Sequence, residues 1–154
     1  FAMTGWRIGY IISTNLEAMN QIIKMQYYIT ACSNDAMQYA VLEAMNEAAD
    51  YPDVIANEFK ERCELIVERL NSMPGVECHK PKGAIYVFPR IKVEGFNSEE
   101  LALEILKDGV LCSPGSAFGP SGEGHLRFAY TISKDEISRG MDKLEQTLKR
   151  LNSK

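Results

Sequence analysis

The feature that most constrains the fold is an amphipathic stretch over residues 51–75, YPDVIANEFKERCELIVERLNSMPG. Apolar residues recur in it every three or four positions, which is the spacing of one helix face. These residues are Ile55, Phe59, Cys63, Ile66 and Leu70. Pro52 lies near the start of the stretch, and Pro74 and Gly75 end it. A long helix is therefore predicted here, between a mostly helical first part of the chain and a second part that alternates strands and helices.

The first 50 residues predict one strand and two helices. The β-branched run RIGYIIS, residues 7–13, is typical of a strand. The stretch NLEAMNQIIKMQYYI predicts a helix capped by Asn15, and a break at Ser33 and Asn34 precedes a second helix. These elements fit poorly into the layer predicted for the second part.

Short strands recur beyond residue 75. The runs VECHKP and AIYVFPRI predict two strands joined by a turn at residues 82–83. VLCSP predicts a strand ended by Pro114, and HLRFAYT predicts another. Three or four short strands with helices between them indicate an α+β layer with the helices on one sheet face.

Two helices accompany these strands. NSEELALEILKDG predicts a helix capped by Asn97 or Ser98 and terminated at Gly109. SKDEISRGMDKLEQTLKRL predicts another, because Ser133 and Glu136 have the spacing of a capping box. Its apolar stripe consists of Ile137, Met141, Leu144, Leu148 and Leu151.

Composition and charge exclude several classes of protein. The 154 residues are 45% apolar and 25% charged, as in ordinary soluble globular proteins. A net charge of −4, with basic and acidic residues interleaved, argues against a nucleic-acid surface. No stretch approaches the roughly 18 apolar residues of a membrane span. The four cysteines are scattered without a CxxC pattern, so we predict reduced thiols in a cytoplasmic protein and no metal site.

Three stretches allow both a structural and a functional interpretation. Arg7 lies in the glycine-flanked TGWRIGY, where its planar fork of donors could hold an anion or form a surface salt bridge. PKGAIYVFP is interpreted as a hairpin with a packed aromatic face. SPGSAFGPSGEG is too long for a simple turn and lacks the pattern of a phosphate loop, so it either serves a site or is mobile.

Arg127 is the fourth such feature, because it lies in the otherwise apolar strand GHLRFAY directly after that loop. A charge in a strand is costly unless it is paired or faces a ligand. The guanidinium geometry suits bidentate recognition of a carboxylate. An arginine facing water from an edge strand is the alternative.

Together and in this order, these stretches resemble the fold-type I, PLP-dependent aminotransferases, in the branch of aspartate and aromatic aminotransferases. In that family the cofactor-bearing lysine lies in a stretch such as S-K-x-x-A-M-x-G-x-R-x-G. The second half of that stretch is matched by Ala2, Met3, Gly5, Arg7, Ile8 and Gly9. PKGAIYVFP and VLCSPGSAFGPSGEGHLRFAY match the family's C-terminal part, so the resemblance extends from residue 1 to about residue 150.

The resemblance implies roles for two residues. Arg7 would hold the phosphate of pyridoxal 5'-phosphate (PLP), and Arg127 would hold the α-carboxylate of the amino-acid substrate. The loop 113–124 would lie beside the substrate and help the site to close. The Schiff-base lysine would fall two positions before Phe1. We therefore expect a C-terminal portion of a longer enzyme, which alone contains no catalytic residue, is inactive and does not retain PLP.

The same resemblance implies a domain arrangement. Residues 1–50 would be a remnant of the large PLP-binding domain, and residues 51–154 the small C-terminal domain with a sheet of three to four strands. Without the rest of the large domain, residues 8–12 would have open strand edges and be disordered or paired with another chain.

The complete enzyme would be a cytoplasmic homodimer that transfers an amino group from an amino acid to a 2-oxo acid. Two alternatives stay open: the aminotransferase-like effector domain of a PLP-dependent transcription regulator, and a PLP-dependent β-lyase. A winged-helix segment in the same protein would favour the regulator, whereas a carboxylate-binding arginine is compatible with the lyase.

Overall fold

The structure, a computed structural model, describes residues 1–153. The chain divides into two compact units, Phe1–Ala56 and Asn57–Lys154. The prediction of domains over residues 1–50 and 51–154 stays a prediction, because compactness alone does not identify a remnant of a larger domain.

Two helices form most of the first unit. A 3₁₀ turn over Thr4–Trp6 precedes α1, Leu16–Thr30, and α2, Asp35–Glu47. The Asn15 side chain accepts a hydrogen bond from the backbone N–H of Ala18 at 3.0 Å. Asn34 caps α2 in the same way by accepting from Met37. Because an N-cap satisfies helix N–H groups that have no intrahelical partner, both helices begin where the sequence predicts.

The predicted strand over residues 7–13 is wrong. No strand includes these residues, and within residues 1–153 no backbone ladder reaches them. A β-branched run becomes a strand only when a neighbouring backbone satisfies its N–H and C=O groups. Ile11 and Ile12 are instead 61% and 85% exposed. Disorder of residues 8–12, or pairing with another chain, stays a prediction.

The helix that divides the sequence is confirmed. It is α3, Tyr51–Asn71, and the C-terminal half of its apolar stripe is buried through Cys63, Ile66 and Leu70. The helix ends just before a turn in which Gly75 has a φ of +78°, a backbone conformation that glycine adopts without strain.

Two further helices also follow the predictions. In α4, Ser98–Lys107, the cap is Asn97, which forms a capping box with Glu100. In α5, Lys134–Asn152, Ser133 and Glu136 form the predicted capping box. The predicted apolar stripe of α5 is buried along its whole length.

Within residues 1–153, five short strands form two small antiparallel sheets. The strands are β1, Val76–Glu77; β2, Tyr86–Val87; β3, Arg90–Ile91; β4, Ser113–Pro114; and β5, Leu126–Ala129. β1 pairs with β3, while the other three are arranged in the order β2-β5-β4. An isolated bridge between Arg90 and His125 links the two sheets. The α+β prediction is confirmed.

The connection between the first strands differs from the predicted hairpin. The run AIYVFPRI splits at Pro89 into β2 and β3, because proline has no N–H to donate to a ladder. β1 pairs with β3, and β2 pairs with β5 instead. A left-handed residue, Ala84 with a φ of +65°, directly follows the predicted turn residues 82–83.

One hydrophobic core joins the strands to α3, α4 and α5. Leu70, Ile105 and Leu144, one from each helix, are completely buried. On β5, Leu126 and Phe128 belong to this core. Because alternate residues of a strand face opposite sides, Arg127 faces away from the helices.

Residues 1–153 contain neither a candidate membrane span nor a candidate metal site. No helix there combines the length and apolar character of a membrane span, and no group of three or more His, Cys, Asp or Glu side chains could hold a metal ion. The four cysteines are free, and burial raises the pKa of the Cys78 and Cys112 thiols to about 11.

Candidate functional site

Arg127 lies in the central strand of the three-stranded sheet. Ser113 of β4 is directly opposite Arg127, and Tyr86 of β2 is opposite Ala129. Tyr86 is therefore the diagonal neighbour of Arg127 on the same sheet face. The alternative of an edge-strand arginine is wrong, since β5 has a partner on each side.

The Arg127 guanidinium contacts side chains from three elements. Its Nη2 donates a hydrogen bond to Ser113 Oγ at 3.2 Å. Its Cζ lies 4.5 Å from the ring centroid of Tyr86 and 4.7 Å from that of Phe118. Within residues 1–153, no carboxylate forms an ion pair with Arg127. A half-buried guanidinium without an acidic partner can bind an incoming carboxylate through two parallel N–H donors.

Two aromatic rings contact this guanidinium, and two further rings continue the group beyond Phe118. We call Tyr86, Phe88, Phe118 and His125 the aromatic patch. Phe88 makes an edge contact with Phe118, with ring centroids 5.8 Å apart, and stacks on His125 at 5.1 Å. The three carbocyclic rings of the patch are each 40–51% exposed.

The predicted aromatic face thus packs on Arg127, Phe118 and His125, and not on the hydrophobic core. Val87, between Tyr86 and Phe88, is the residue that faces the core and is 1% exposed. Because side chains alternate along a strand, either the aromatic or the aliphatic residues of this run could face the helices. The sequence did not indicate which of the two groups does so. The aromatic patch was thus the part of the site that sequence reasoning missed.

The glycine-rich loop 113–124 brings Phe118 to Arg127. It contains two 3₁₀ turns, Gly115–Phe118 and Pro120–Gly122, whose backbones touch. A Cβ atom on Gly115 would lie 1.9 Å from the carbonyl oxygen of Gly122, and one on Gly122 would lie 2.1 Å from that of Gly115. Only glycine allows this approach at both positions.

A carboxylate ties the loop to the start of α4. The backbone N–H of Ser98 donates to Glu123 Oε1 at 2.7 Å, and its hydroxyl donates to Oε2 at 2.9 Å. The backbone N–H of Ser116 donates in turn to Ser98 Oγ. Ser98, considered a possible cap in the sequence, instead anchors the loop. The sequence left open whether the loop serves a site or is mobile. This anchoring favours a fixed loop that serves a site.

This anchor predicts a pH dependence. The hydrogen bonds from Ser98 lower the pKa of Glu123 from its ordinary value of 4.5. A depressed pKa in the folded state means that the stabilisation is present above pH 4.5 and is lost as the pH falls through the lower, folded-state value. We expect Glu123→Gln to remove part of the acid-induced fall in melting temperature, measured by thermal unfolding below and above pH 4.5.

Glu99→Gln provides the matched control, because Glu99 is an exposed acid in the first turn of α4, next to Ser98. Other carboxylates with lowered pKa values, such as Glu61 and Glu136, also contribute to acid unfolding. The quantity to compare is therefore the difference in melting temperature between the two variants across the pH range. Parallel curves for the two variants would contradict the anchoring role of Glu123.

Arg7 lies in the other unit, directly after the first 3₁₀ turn. It has a φ of +57°, and its Nη1 donates to the carbonyl oxygen of Thr4 at 3.3 Å. The side chain is exposed, and the predicted alternative of a salt bridge is wrong for residues 1–153, where Arg7 has no ion-pair partner. An exposed guanidinium fork without an acid fits a phosphate group.

The chain matches a protein family over most of its length. The family model of aminotransferases of class I and II matches residues 1–144. An aspartate aminotransferase of Pyrococcus horikoshii is 36% identical over 151 residues, which cover 96% of this chain and 38% of that protein. An aromatic-amino-acid aminotransferase of Thermococcus litoralis is 37% identical, covering 97% of this chain and 39% of that protein.

Solved structures agree in fold. An aromatic aminotransferase from Pyrococcus horikoshii superposes with a TM-score of 0.86 at 35% identity, covering 97% of this chain and 40% of that one. The chain therefore spans about two fifths of the length of the relatives that it matches.

Proposed function

Because the chain belongs to the class I and II aminotransferases, we propose that it is the C-terminal part of an enzyme that transfers an amino group from an amino acid to a 2-oxo acid. The observation that carries the proposal is the unpaired Arg127 guanidinium in the central strand, beside an anchored glycine-rich loop. An amino acid presents a carboxylate at every turnover, and this guanidinium has the free donors to bind one.

The two arginines would have separate tasks. Arg127 would bind and orient the α-carboxylate, so that the amino group of the substrate points in a fixed direction. Arg7 would hold the phosphate of PLP. When bound, PLP supplies the electron sink that amino-group transfer requires.

The surface of the first unit supports its assignment to an incomplete large domain over residues 1–50. None of residues 1–56 is buried, although many are large and apolar. Tyr10, Ile12, Leu16 and Tyr28 are each more than 70% exposed. Since a large exposed apolar surface marks a contact site, we propose that the remaining part of the domain and a second subunit cover these residues. Residues 51–154 would then be the small domain of a cytoplasmic homodimer.

No specific observation favours the transcription-regulator or β-lyase alternatives. The relatives described above carry aminotransferase names. A carboxylate-binding arginine is compatible with all three proteins, so the reaction itself discriminates between them.

The test compares the complete protein with the 154-residue chain. With PLP, the complete protein should transfer an amino group from aspartate or an aromatic amino acid to a 2-oxo acid, and the chain alone should not. Borohydride treatment of the chain with PLP should give only slow, scattered labelling of exposed lysines such as Lys24, Lys80 and Lys82. One stoichiometric lysine adduct together with turnover by the chain would contradict the proposed position of the catalytic lysine. Elimination of a β-substituent by the complete protein, without transfer, would identify a lyase.

A further inference from the structure

Arg127 presents a physical problem that the proposed function leaves unsolved. A long arginine side chain loses much rotamer entropy when it is fixed, and within residues 1–153 only one hydrogen bond to another side chain, Ser113 Oγ, holds this one. An acidic partner would fix it, but that acid would occupy the donors and neutralise the charge that a substrate carboxylate requires.

We infer that Tyr86 and Phe118 are positioning residues that fix the Arg127 guanidinium without using its N–H donors. The inference rests on the proposed function of Arg127 as a carboxylate site. Both rings lie within 4.7 Å of the guanidinium carbon, at distances typical of cation–π contacts. A ring face attracts the cation through its quadrupole, so most N–H donors stay available to a ligand.

Tyr86 is itself fixed by the strand that carries Arg127. The backbone N–H of Tyr130 donates to the carbonyl oxygen of Ile85 at 3.1 Å, and the Tyr130 hydroxyl donates to that of Ala84 at 2.8 Å. The hydroxyl thus holds the uncommon left-handed backbone at Ala84, and the backbone N–H holds the next residue, Ile85. Tyr86 directly follows Ile85, the second of these two residues, so its ring starts from a constrained backbone.

Phe118 is fixed independently of Tyr86. It ends the 3₁₀ turn that begins at Gly115, and its ring makes a T-shaped contact with the ring of Phe88. The two rings therefore approach Arg127 from separate elements, β2 and the loop. Losing either ring should loosen the guanidinium without unfolding the sheet, because both rings are 40–51% exposed.

The first measurement is the Nε–Hε resonance of Arg127 in ¹H–¹⁵N spectra of the chain, identified by its loss in Arg127→Lys. Ring currents should displace it upfield of the arginines other than Arg62, whose Cζ itself lies 5.2 Å from the ring centroid of Phe59. Tyr86→Leu and Phe118→Leu should each move it back, whereas Tyr86→Phe and Phe118→Tyr should not. Tyr39→Leu is the control, since Tyr39 is a 74% exposed ring in α2. An Arg127 resonance that neither leucine variant moves would overturn the inference.

The second measurement uses the complete enzyme and two substrates. Each leucine variant should lower kcat/KM for an amino acid by about tenfold, within the range of cation–π energies. The same variants should leave kcat/KM unchanged for a primary amine without a carboxylate, and the aromatic replacements should restore the amino-acid value. Equal losses for both substrates would show a merely structural role and overturn the inference.

The two hypotheses fail in different ways. A normal kcat/KM in Arg127→Lys would overturn the proposed carboxylate site. A lowered value in Arg127→Lys with normal values in both leucine variants would overturn only the positioning role of Tyr86 and Phe118.

Discussion

In the complete enzyme, Arg127→Lys is expected to lower kcat/KM for amino acids. The loss should correspond to about 2–5 kcal/mol of transition-state stabilisation, the usual cost of breaking a hydrogen-bonded charge pair. Lysine keeps the positive charge but loses the planar fork that binds a carboxylate through two parallel donors. It also loses the flat group that the rings of Tyr86 and Phe118 contact. Steady-state kinetics with a series of amino acids measure the effect.

Two comparisons make this result specific. Arg90→Lys is the matched control, because Arg90 is an exposed arginine of β3 and the same chemical change there should leave kcat/KM unaltered. Arg7→Ala should weaken PLP retention, measured by titration, whereas Arg127→Lys should not. An Arg127→Lys enzyme with normal kinetics, or with the same loss of PLP as Arg7→Ala, would contradict the assignment of Arg127 to the substrate.

The helices were predictable because their signals are local. The stripes of α3 and α5 repeat with the helical period, and Asn15, Asn34 and Ser133 accept hydrogen bonds from N–H groups three residues ahead. Such contacts depend on residues within one or two turns. The sequence contains all the information that they require.

The strands and the site were less predictable because their partners are remote. Residues 7–13 have a strand composition but no partner backbone, and residues 84–91 divide between two sheets whose partners come from both earlier and later in the chain. The Glu123 anchor reaches back 25 residues to Ser98. The arginine on β5 was visible in the sequence as an unusual charge. Tyr86 was visible only as part of a pattern that fits either sheet face, and Phe118 only as a residue of a loop without periodicity.

The second large effect is expected at the point where the loop closes. Gly115→Ala places a Cβ atom 1.9 Å from the carbonyl oxygen of Gly122 and 2.6 Å from that of His125, and both are backbone atoms. Relief requires the two 3₁₀ turns to separate, since no flexible side chain can move away. We expect the free energy of unfolding to fall by about 1–3 kcal/mol, as for other overpacked positions, in chemical denaturation of the chain.

Gly140→Ala is the matched control for Gly115→Ala, because it makes the same chemical change where a Cβ atom meets no atom within 4 Å. Gly140 lies inside α5, and alanine there should stabilise the chain by up to about 1 kcal/mol through its helix propensity. The two variants should thus change the free energy of unfolding in opposite directions. Gly115→Ala should also shift the Arg127 Nε–Hε resonance, because the displaced turn ends at Phe118. A Gly115→Ala chain as stable as Gly140→Ala, with that resonance unmoved, would show that the close approach of the two glycines does not position the ring.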